Sequence, residues 1–142
     1  MRSLTFISLL IIGLGFTSTK NTTMQSNRLN GTWVPVEQEM GGAPLPKASM
    51  ANQKLVLSDS TYTFTAESID KGVVKYNDDK IDIYGKEGPN AGKHITAIYK
   101  MENGQLTICY NLAGDAYPAA FETKSKAMLF LCVFKKEDPA GR

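Results

Sequence analysis

The single histidine, His94, limits the chemistry that this sequence can support. A catalytic triad places a histidine between a nucleophile and an orienting carboxylate, and a histidine-rich metal site needs several such residues. His94 stands between a polar loop and a strand pattern, which is typical of a surface or turn residue. We therefore predict no catalytic residues, no metal site and no cofactor, with a hydrolase-type enzyme as the least favoured of three functions.

Cys109 and Cys132 are too few for a structural zinc site and leave two alternatives open. A disulfide is one, because the N-terminal segment predicts export to an oxidising compartment and both residues lie near the middle of strands that we expect to pair. The other is a pair of buried thiols that pack as small hydrophobic groups, since a bridge across adjacent strands is geometrically demanding.

Two polar segments resemble ligand loops but lack the required spacing. Gly88–Lys93 (GPNAGK) differs from a phosphate-binding loop because its glycines are one residue too close and a strand pattern, not a helix, follows. Asp78, Asp79 and Asp82 offer carboxylates, but their spacing is not that of a calcium loop. We predict a tight surface loop and a solvated turn.

Aromatic residues form the constellation with the most potential for binding. Alternation along the strand patterns places five of them on inward faces: Trp33, Tyr62, Phe64, Tyr99 and Tyr110. Inside a barrel they would form an apolar interior whose hydroxyl groups orient a small ligand. The alternative is a core filled by these rings. The predicted ligand-binding residues are Tyr62, Phe64, Tyr99 and Tyr110.

Eight short strand patterns must position these residues, separated by turn signals about every ten residues and with no convincing helix. They are A (31–40), B (55–57), C (61–67), D (71–76), E (80–84), F (94–101), G (105–110) and H (127–135). Eight strands that follow one another can close without leaving edges. We predict an all-β fold, an antiparallel up-and-down eight-stranded barrel.

Two strands carry special features. In strand A, strict alternation would put Glu37 and Glu39 on the face of Trp33, so we predict a bulge at Pro35 that changes the parity and turns both Trp33 and Val36 inward. Strand H is apolar on both faces. Its outer face therefore needs a cover, with the loop residue Phe121, the leader or a second subunit as alternatives.

Charge and composition exclude several partner classes. The 142 residues are 42% hydrophobic and 21% charged, which is ordinary for a globular protein. With 16 basic and 14 acidic residues, loss of Arg2 would leave 15 against 14. This near-neutral balance gives no electrostatic support for nucleic-acid binding.

The N-terminus has the pattern of an export signal, with Arg2 before a thirteen-residue apolar run, Leu4–Phe16, and the small residues Thr17–Thr19. The run is shorter than the ~20 residues that span a bilayer, so we expect no membrane span after cleavage. The predicted organisation is a signal peptide (1–19), a polar leader (20–28), one domain (29–136) and a flexible tail (137–142). The expected location is periplasmic or secreted.

The first strand also carries a family resemblance. Gly31-Thr32-Trp33 resembles the G-x-W signature of lipocalins and related calycins, in which the tryptophan packs across the closed end of the barrel. An ordered series of motifs is similar to a family of exported bacterial lipocalin-like domains of unknown function: LNGTW (29–33), GAPLP (42–46), GPNAGK (88–93), Ile98-Tyr99, Leu106 with Cys109-Tyr110, and Pro118 with Phe121. Lipocalins stack an arginine on the tryptophan. Here Arg28 or Lys135 would cover the indole.

The resemblance implies a lipocalin-like barrel with Trp33 as a structural plug at one end. Our leading expectation is a non-enzymatic exported module that binds a small apolar or amphipathic ligand inside the barrel. The alternative is a structural or protein-interaction module with a filled core, which acts through strand H, as in a homo-oligomer, or through the loops at the open end.

Overall fold

Eight antiparallel strands close into a barrel in the computed structural model, which describes residues 28–138 together with Met24 and Ser26. The predicted signal peptide (1–19) lies outside the described residues, as do residues 20–23, 25 and 27 of the predicted leader and residues 139–142 of the predicted tail.

The strands follow one another as β1 (Gly31–Met40), β2 (Ala43–Pro44), β3 (Lys54–Ser58), β4 (Thr61–Thr65), β5 (Ile69–Asn77), β6 (Lys80–Glu87), β7 (His94–Glu102), β8 (Gln105–Asn111) and β9 (Leu129–Lys136). From β3 to β9 each strand pairs with the next, β3 also pairs with β1, and β9 returns to β1 to close the ring. The two-residue strand β2 pairs only with the end of β1. The predicted strands A to H correspond to β1 and β3 to β9, which confirms the up-and-down barrel.

The prediction of no convincing helix is wrong in one detail, because a helical turn, α1 (Lys47–Met50), follows β2. The Ser49 hydroxyl and the Ser49 amide both donate to the Pro46 carbonyl, and these two hydrogen bonds hold the start of the turn. Four residues are too few to produce a helical period in the sequence, so no sequence pattern indicates this turn. No helix among the described residues is long and apolar enough to cross a bilayer.

The bulge in β1 lies where proline predicts it. Pairing with β9 shifts between Pro35 and Glu37, leaving Val36 as the extra residue. The shift removes Glu37 and Glu39 from the inner face, as predicted. The inward direction of Val36 is wrong, because Val36 lines a groove on the outer face with Leu131 and Val133. Gln38 takes the inward position instead and is buried.

Trp33 closes the end of the barrel at which β1 begins. Its side chain is 1% exposed, and the indole Nε1 donates to the carbonyl of Leu29 at 2.8 Å. The Lys136 Nζ lies 5.4 Å from the indole ring centroid, so Lys136, and not Arg28 or Lys135, provides the cation–π contact. Gly31 permits this contact, because a Cβ there would lie 2.6 Å from Lys136 Cε.

Part of the outer face of β9 is covered by residues of the same chain. Tyr117 and Phe121 from the β8–β9 connection pack, as Leu131 does, against a buried cluster of Ile98, Cys109 and Leu129, which supports the alternative that assigned the cover to Phe121. The connection is fixed to β1 by Thr123, whose hydroxyl bonds Glu39 and accepts from the Gly42 amide. A homo-oligomer is therefore not required to cover this part of the face, and it stays an untested prediction.

The two cysteines are free thiols that point to opposite faces of the sheet. Cys132 pairs with Ile108 and lies in the interior cluster, whereas Cys109 pairs with Leu131 and lies in the outer cluster with Ile98. Successive side chains on a strand alternate between faces, so adjacent pairing rows separate the two sulfur atoms. The structure therefore agrees with the alternative of two buried thiols.

Candidate functional site

The barrel interior contains a cavity of about 160 Å³, and Trp33 is not among the residues that line it. Most of its lining is aliphatic or phenyl: Leu55, Leu57, Val74, Ile81, Ile83, Ile95, Ile108, Leu112, Phe64, Phe130 and Phe134. Six polar side chains complete the wall: Gln38, Tyr62, Asp70, Tyr76, Asn90 and Tyr110. The interior is therefore neither filled completely nor as wide as a typical drug-sized pocket of roughly 300 Å³ or more.

Three of the four predicted ligand-binding residues line this cavity: Tyr62, Phe64 and Tyr110. Tyr99 does not. Its side chain faces inward as alternation predicts, but its amide bonds the Asp79 carbonyl in the turn at the closed end. Burial raises the pKa of Tyr99, while the nearby Arg28 lowers it. Position along the barrel axis, which alternation does not encode, separates Tyr99 from the other three residues.

Tyr76 is a cavity residue that the sequence interpretation missed. The side chain is 5% exposed, and its ring meets Tyr99 edge-on with 6.2 Å between centroids. Its hydroxyl has no hydrogen-bond partner among the described residues. An unpartnered buried hydroxyl costs about 1–3 kcal/mol, so this atom is a ready anchor for a polar group of a ligand.

Asp70 is the second missed residue and, of the residues that the structure describes, the one charged side chain in the cavity wall. It is 5% exposed and lies beside Phe64 in the β4–β5 pairing. Its Oδ2 accepts from the Tyr62 hydroxyl at 3.0 Å and from Asn90 Nδ2 at 2.8 Å, and its Oδ1 accepts from the Asn90 amide at 3.0 Å. A buried carboxylate is thus held by three donors, none of which carries a charge.

Asn90 reaches Asp70 because the GPNAGK loop (88–93) folds back over the mouth of the barrel. The Gly85 amide donates to the Lys93 carbonyl, and the Gly92 amide donates to the Gly85 carbonyl. A Cβ at Gly85 would collide with the Asn90 carbonyl, so glycine is required for this approach. The predicted tight surface loop is confirmed. Its contribution to the cavity wall was not predicted.

The phenol groups of the cavity are held in their neutral form. Burial, then the hydrogen bond to Asp70, raises the pKa of Tyr62, and burial raises the pKa of Tyr76. The pKa of Tyr110 is raised well above its usual value by burial and by the neighbouring Cys132, Tyr76 and Tyr62. At neutral pH these hydroxyls serve as hydrogen-bond donors and acceptors, and a role as general base is disfavoured.

The rim of the cavity is built from β1, β8 and β9. Tyr110 and Phe130 stack across the β8–β9 pair with 5.8 Å between ring centroids. Gln38 on β1 donates from Nε2 to Gln53 Oε1 at 2.7 Å and contacts Cys132 Sγ at 3.6 Å. Phe130 is half-buried, so an aromatic edge remains accessible at the mouth.

His94 belongs to a separate network on the outer surface. Its Nε2 lies 2.7 Å from Asp82 Oδ1, and the Tyr117 hydroxyl donates to Asp82 Oδ2 at 2.6 Å. The imidazole stacks on Tyr84 with 4.6 Å between centroids. The surface position predicted for His94 is confirmed. Nothing in the sequence spacing indicated Tyr117 as a partner, since it comes from the β8–β9 connection.

A second depression of about 220 Å³ lies on the outer face of the barrel, between β1, β9 and the β2–α1 segment. We call it the outer groove and define it by Val36, Leu45, Met50, Leu131 and Val133. Charged residues, including Glu37 and Lys47, lie on its border. It is a shallower and more polar site than the interior cavity.

No protein-family model and no curated protein matches the chain. A solved structure of an uncharacterised protein from Bacteroides eggerthii is similar, at 10% sequence identity, and the match covers 77% of this chain and 99% of that chain. The TM-score of this match is 0.46.

Proposed function

We propose that this domain is a binding module that holds a small, largely apolar molecule inside the barrel. The observation that carries the proposal is the cavity of about 160 Å³. Its wall is mostly aliphatic and phenyl and includes Tyr76, whose hydroxyl has no partner in the described part of the chain. Apolar cavities of roughly 150 Å³ bind molecules the size of benzene. The ligand we propose therefore has a body about the size of one aromatic ring.

The proposal includes at least one polar group on the ligand. Binding of a molecule that gives Tyr76 a hydrogen-bond partner removes the cost of about 1–3 kcal/mol that the buried hydroxyl carries. A purely hydrocarbon molecule fills the same space without this gain. We expect the natural ligand to combine an apolar ring or chain with a polar atom that reaches the deep end of the cavity.

We further propose that the protein acts after export, as a member of the lipocalin-like family of exported bacterial domains. The support is the signal-like pattern of residues 1–19 and the ordered motifs that begin at Gly31-Thr32-Trp33. Mass measurement of the protein recovered from its host checks the first part. A mature chain that begins near Lys20 is expected, and a full-length chain in the cytoplasmic fraction would contradict it.

A pair of identical substitutions tests the binding proposal. Val74 lines the interior cavity and Val133 lines the outer groove, so Val74→Phe fills the former while Val133→Phe adds the same ring outside. Toluene is titrated into each protein and the amide shifts are followed by NMR. We expect saturable shifts around Val74, Ile83 and Ile108 in the wild type and in Val133→Phe, and none in Val74→Phe.

Two results would contradict the proposal: the absence of saturable shifts in the wild type, or toluene binding that survives in a folded Val74→Phe variant. Overpacking costs about 1–3 kcal/mol, so thermal unfolding of both variants is measured first. Should Val74→Phe fail to fold, the location of the wild-type shifts decides the question, since shifts confined to the outer groove would also count against the interior site.

A protein-interaction function is the second candidate, and the outer groove is the observation that favours it. Val36, Leu131 and Val133 are half-buried there and leave apolar surface beside β9. Sedimentation of the wild type and of Val133→Glu compares their masses in solution. A wild-type dimer that dissociates in Val133→Glu would support an interface at this groove. A monomeric wild type would rule out the homo-oligomer.

A further inference from the structure

The charge of Asp70 has no counterion in the described part of the chain. None of the three ion pairs among residues 28–138 includes Asp70. Its donors are the Tyr62 hydroxyl and two nitrogen atoms of Asn90, all neutral. Burying a carboxylate without an opposite charge is unfavourable, and removing its hydrogen bonds would make it more so.

Asp70 also keeps capacity to accept a further hydrogen bond. An ionised carboxylate offers about four acceptor positions on its two oxygens, and three are used here. The side chain forms part of the cavity wall, so the remaining capacity is available to a bound molecule. Phe64 lies directly across from Asp70 on β4, which places an aromatic ring next to the same position.

We propose that the cavity binds a small primary amine, with its ammonium group paired to Asp70 and its apolar body among the aliphatic residues of the barrel. The inference rests on the proposed function, because it needs the cavity to be a binding site, and it adds the chemical class of the ligand. The ammonium supplies the missing countercharge, donates to the free acceptor position of Asp70 and lies within reach of the Phe64 ring.

Other ligand classes fit the same wall less well. A carboxylate or phosphate would be repelled by Asp70. A metal ion lacks ligands, because no group of three histidine, cysteine, aspartate or glutamate side chains comes together within the described residues. The Tyr76 hydroxyl, further along β5 and without a hydrogen-bond partner among the described residues, offers a bound molecule a second polar contact in the same cavity.

Three probes of one shape test the inference by calorimetric titration of the folded full-length mature protein. Benzylamine, benzyl alcohol and toluene share the ring, and only benzylamine carries a positive charge. We expect benzylamine to bind at least about tenfold more tightly than benzyl alcohol, as a charge-assisted hydrogen bond implies. Equal affinities would overturn the amine proposal and leave the binding module intact, whereas no binding of any probe would overturn both.

Two charge-removing variants locate the preference. Asp70→Asn removes the buried charge and keeps the side-chain size, while Glu87→Gln removes an exposed charge from the neighbouring strand β6. We expect the preference for benzylamine to fall below about twofold in Asp70→Asn and to persist in Glu87→Gln. A preference that survives in Asp70→Asn would overturn the assignment to Asp70. If Asp70→Asn does not fold, NMR shifts of the Asp70 and Asn90 amides in the wild type decide, and their absence on saturation with benzylamine would overturn it.

Discussion

Replacing Tyr76 with phenylalanine is expected to stabilise the barrel, and the same substitution at Tyr62 is expected to destabilise it. Both hydroxyls belong to the cavity wall, and each substitution removes one oxygen atom. They differ in their partners. The Tyr62 hydroxyl donates to Asp70 at 3.0 Å, whereas the Tyr76 hydroxyl has no partner among the described residues.

The expected magnitudes follow from these partners. A hydrogen bond to a charged group contributes about 1.5–3 kcal/mol, so Tyr62→Phe should lower the free energy of unfolding by that amount. A buried hydroxyl without a partner costs about 1–3 kcal/mol, so Tyr76→Phe should raise the free energy of unfolding by about 1 kcal/mol or more. The two variants should therefore differ by about 3 kcal/mol.

Urea unfolding followed by tryptophan fluorescence measures both changes. Trp33 is the sole tryptophan, it is buried at the closed end, and both variants retain it. The comparison of the two variants is valid if the free energy of unfolding depends on urea concentration with the same slope in both variants and in the wild type. A loss of stability in Tyr76→Phe as large as that in Tyr62→Phe would show that the Tyr76 hydroxyl already makes a hydrogen bond in the free protein, contrary to this prediction.

The remaining predictions concern the closed end and the thiols. Trp33→Ala should lower stability by about 3–5 kcal/mol and Lys136→Met by only about 0.5–1 kcal/mol, both measured by circular dichroism; a silent Trp33→Ala would contradict the plug. In the chain denatured without reductant, iodoacetamide should label both Cys109 and Cys132. Labelling that occurs only after reduction would show that the two cysteines form a disulfide. Burial raises the pKa of Cys132 to about 12, above the usual thiol value of about 8.5, so the thiol stays protonated to a higher pH in the folded state than in the unfolded state. The contribution of this thiol to the free energy of unfolding should be complete below pH ~8.5 and be lost as pH rises toward ~12. The free energy of unfolding should therefore fall less steeply with pH in Cys132→Ala than in the wild type, and an equal dependence on pH in both proteins would contradict this.

The strands could be predicted because each one repeats a local signal. Tyr62 and Phe64 alternate with threonines on β4, and the Asn103-Gly104 turn has the positive φ angles, 52° and 75°, that its sequence indicates. These signals depend only on residues close together in the chain. The same is true of Pro35, whose missing amide marked the bulge in β1.

The two decisive polar residues of the site were missed for different reasons. Asp70 precedes the strand pattern that begins at Lys71, and β5 in fact starts at Ile69. Extending the inward alternation of Val74 and Tyr76 back along the chain would have placed Asp70 inside. The lack of a partner for the Tyr76 hydroxyl has no sequence signal, because it depends on which distant side chains approach it.

The closed end shows the same limit of local reasoning. The resemblance to calycins predicted a cation over Trp33, but the register between β1 and β9 decides that Lys136 supplies it, since Lys136 pairs directly with Trp33. That pairing determines whether Lys135 or Lys136 lies on the same face of the sheet as Trp33. Because side chains alternate along a strand, a shift of one residue in the pairing would place Lys135 there instead.

Both binding proposals require an apolar site in the barrel interior that is open to a small molecule. Crystals of the protein equilibrated with xenon test this requirement most directly, because xenon enters apolar cavities of this size and is located by its electron density. We expect a xenon atom among Leu55, Val74 and Ile108, and its loss in Val74→Phe. An interior whose side chains occupy this space, with no xenon bound at pressure, would contradict it.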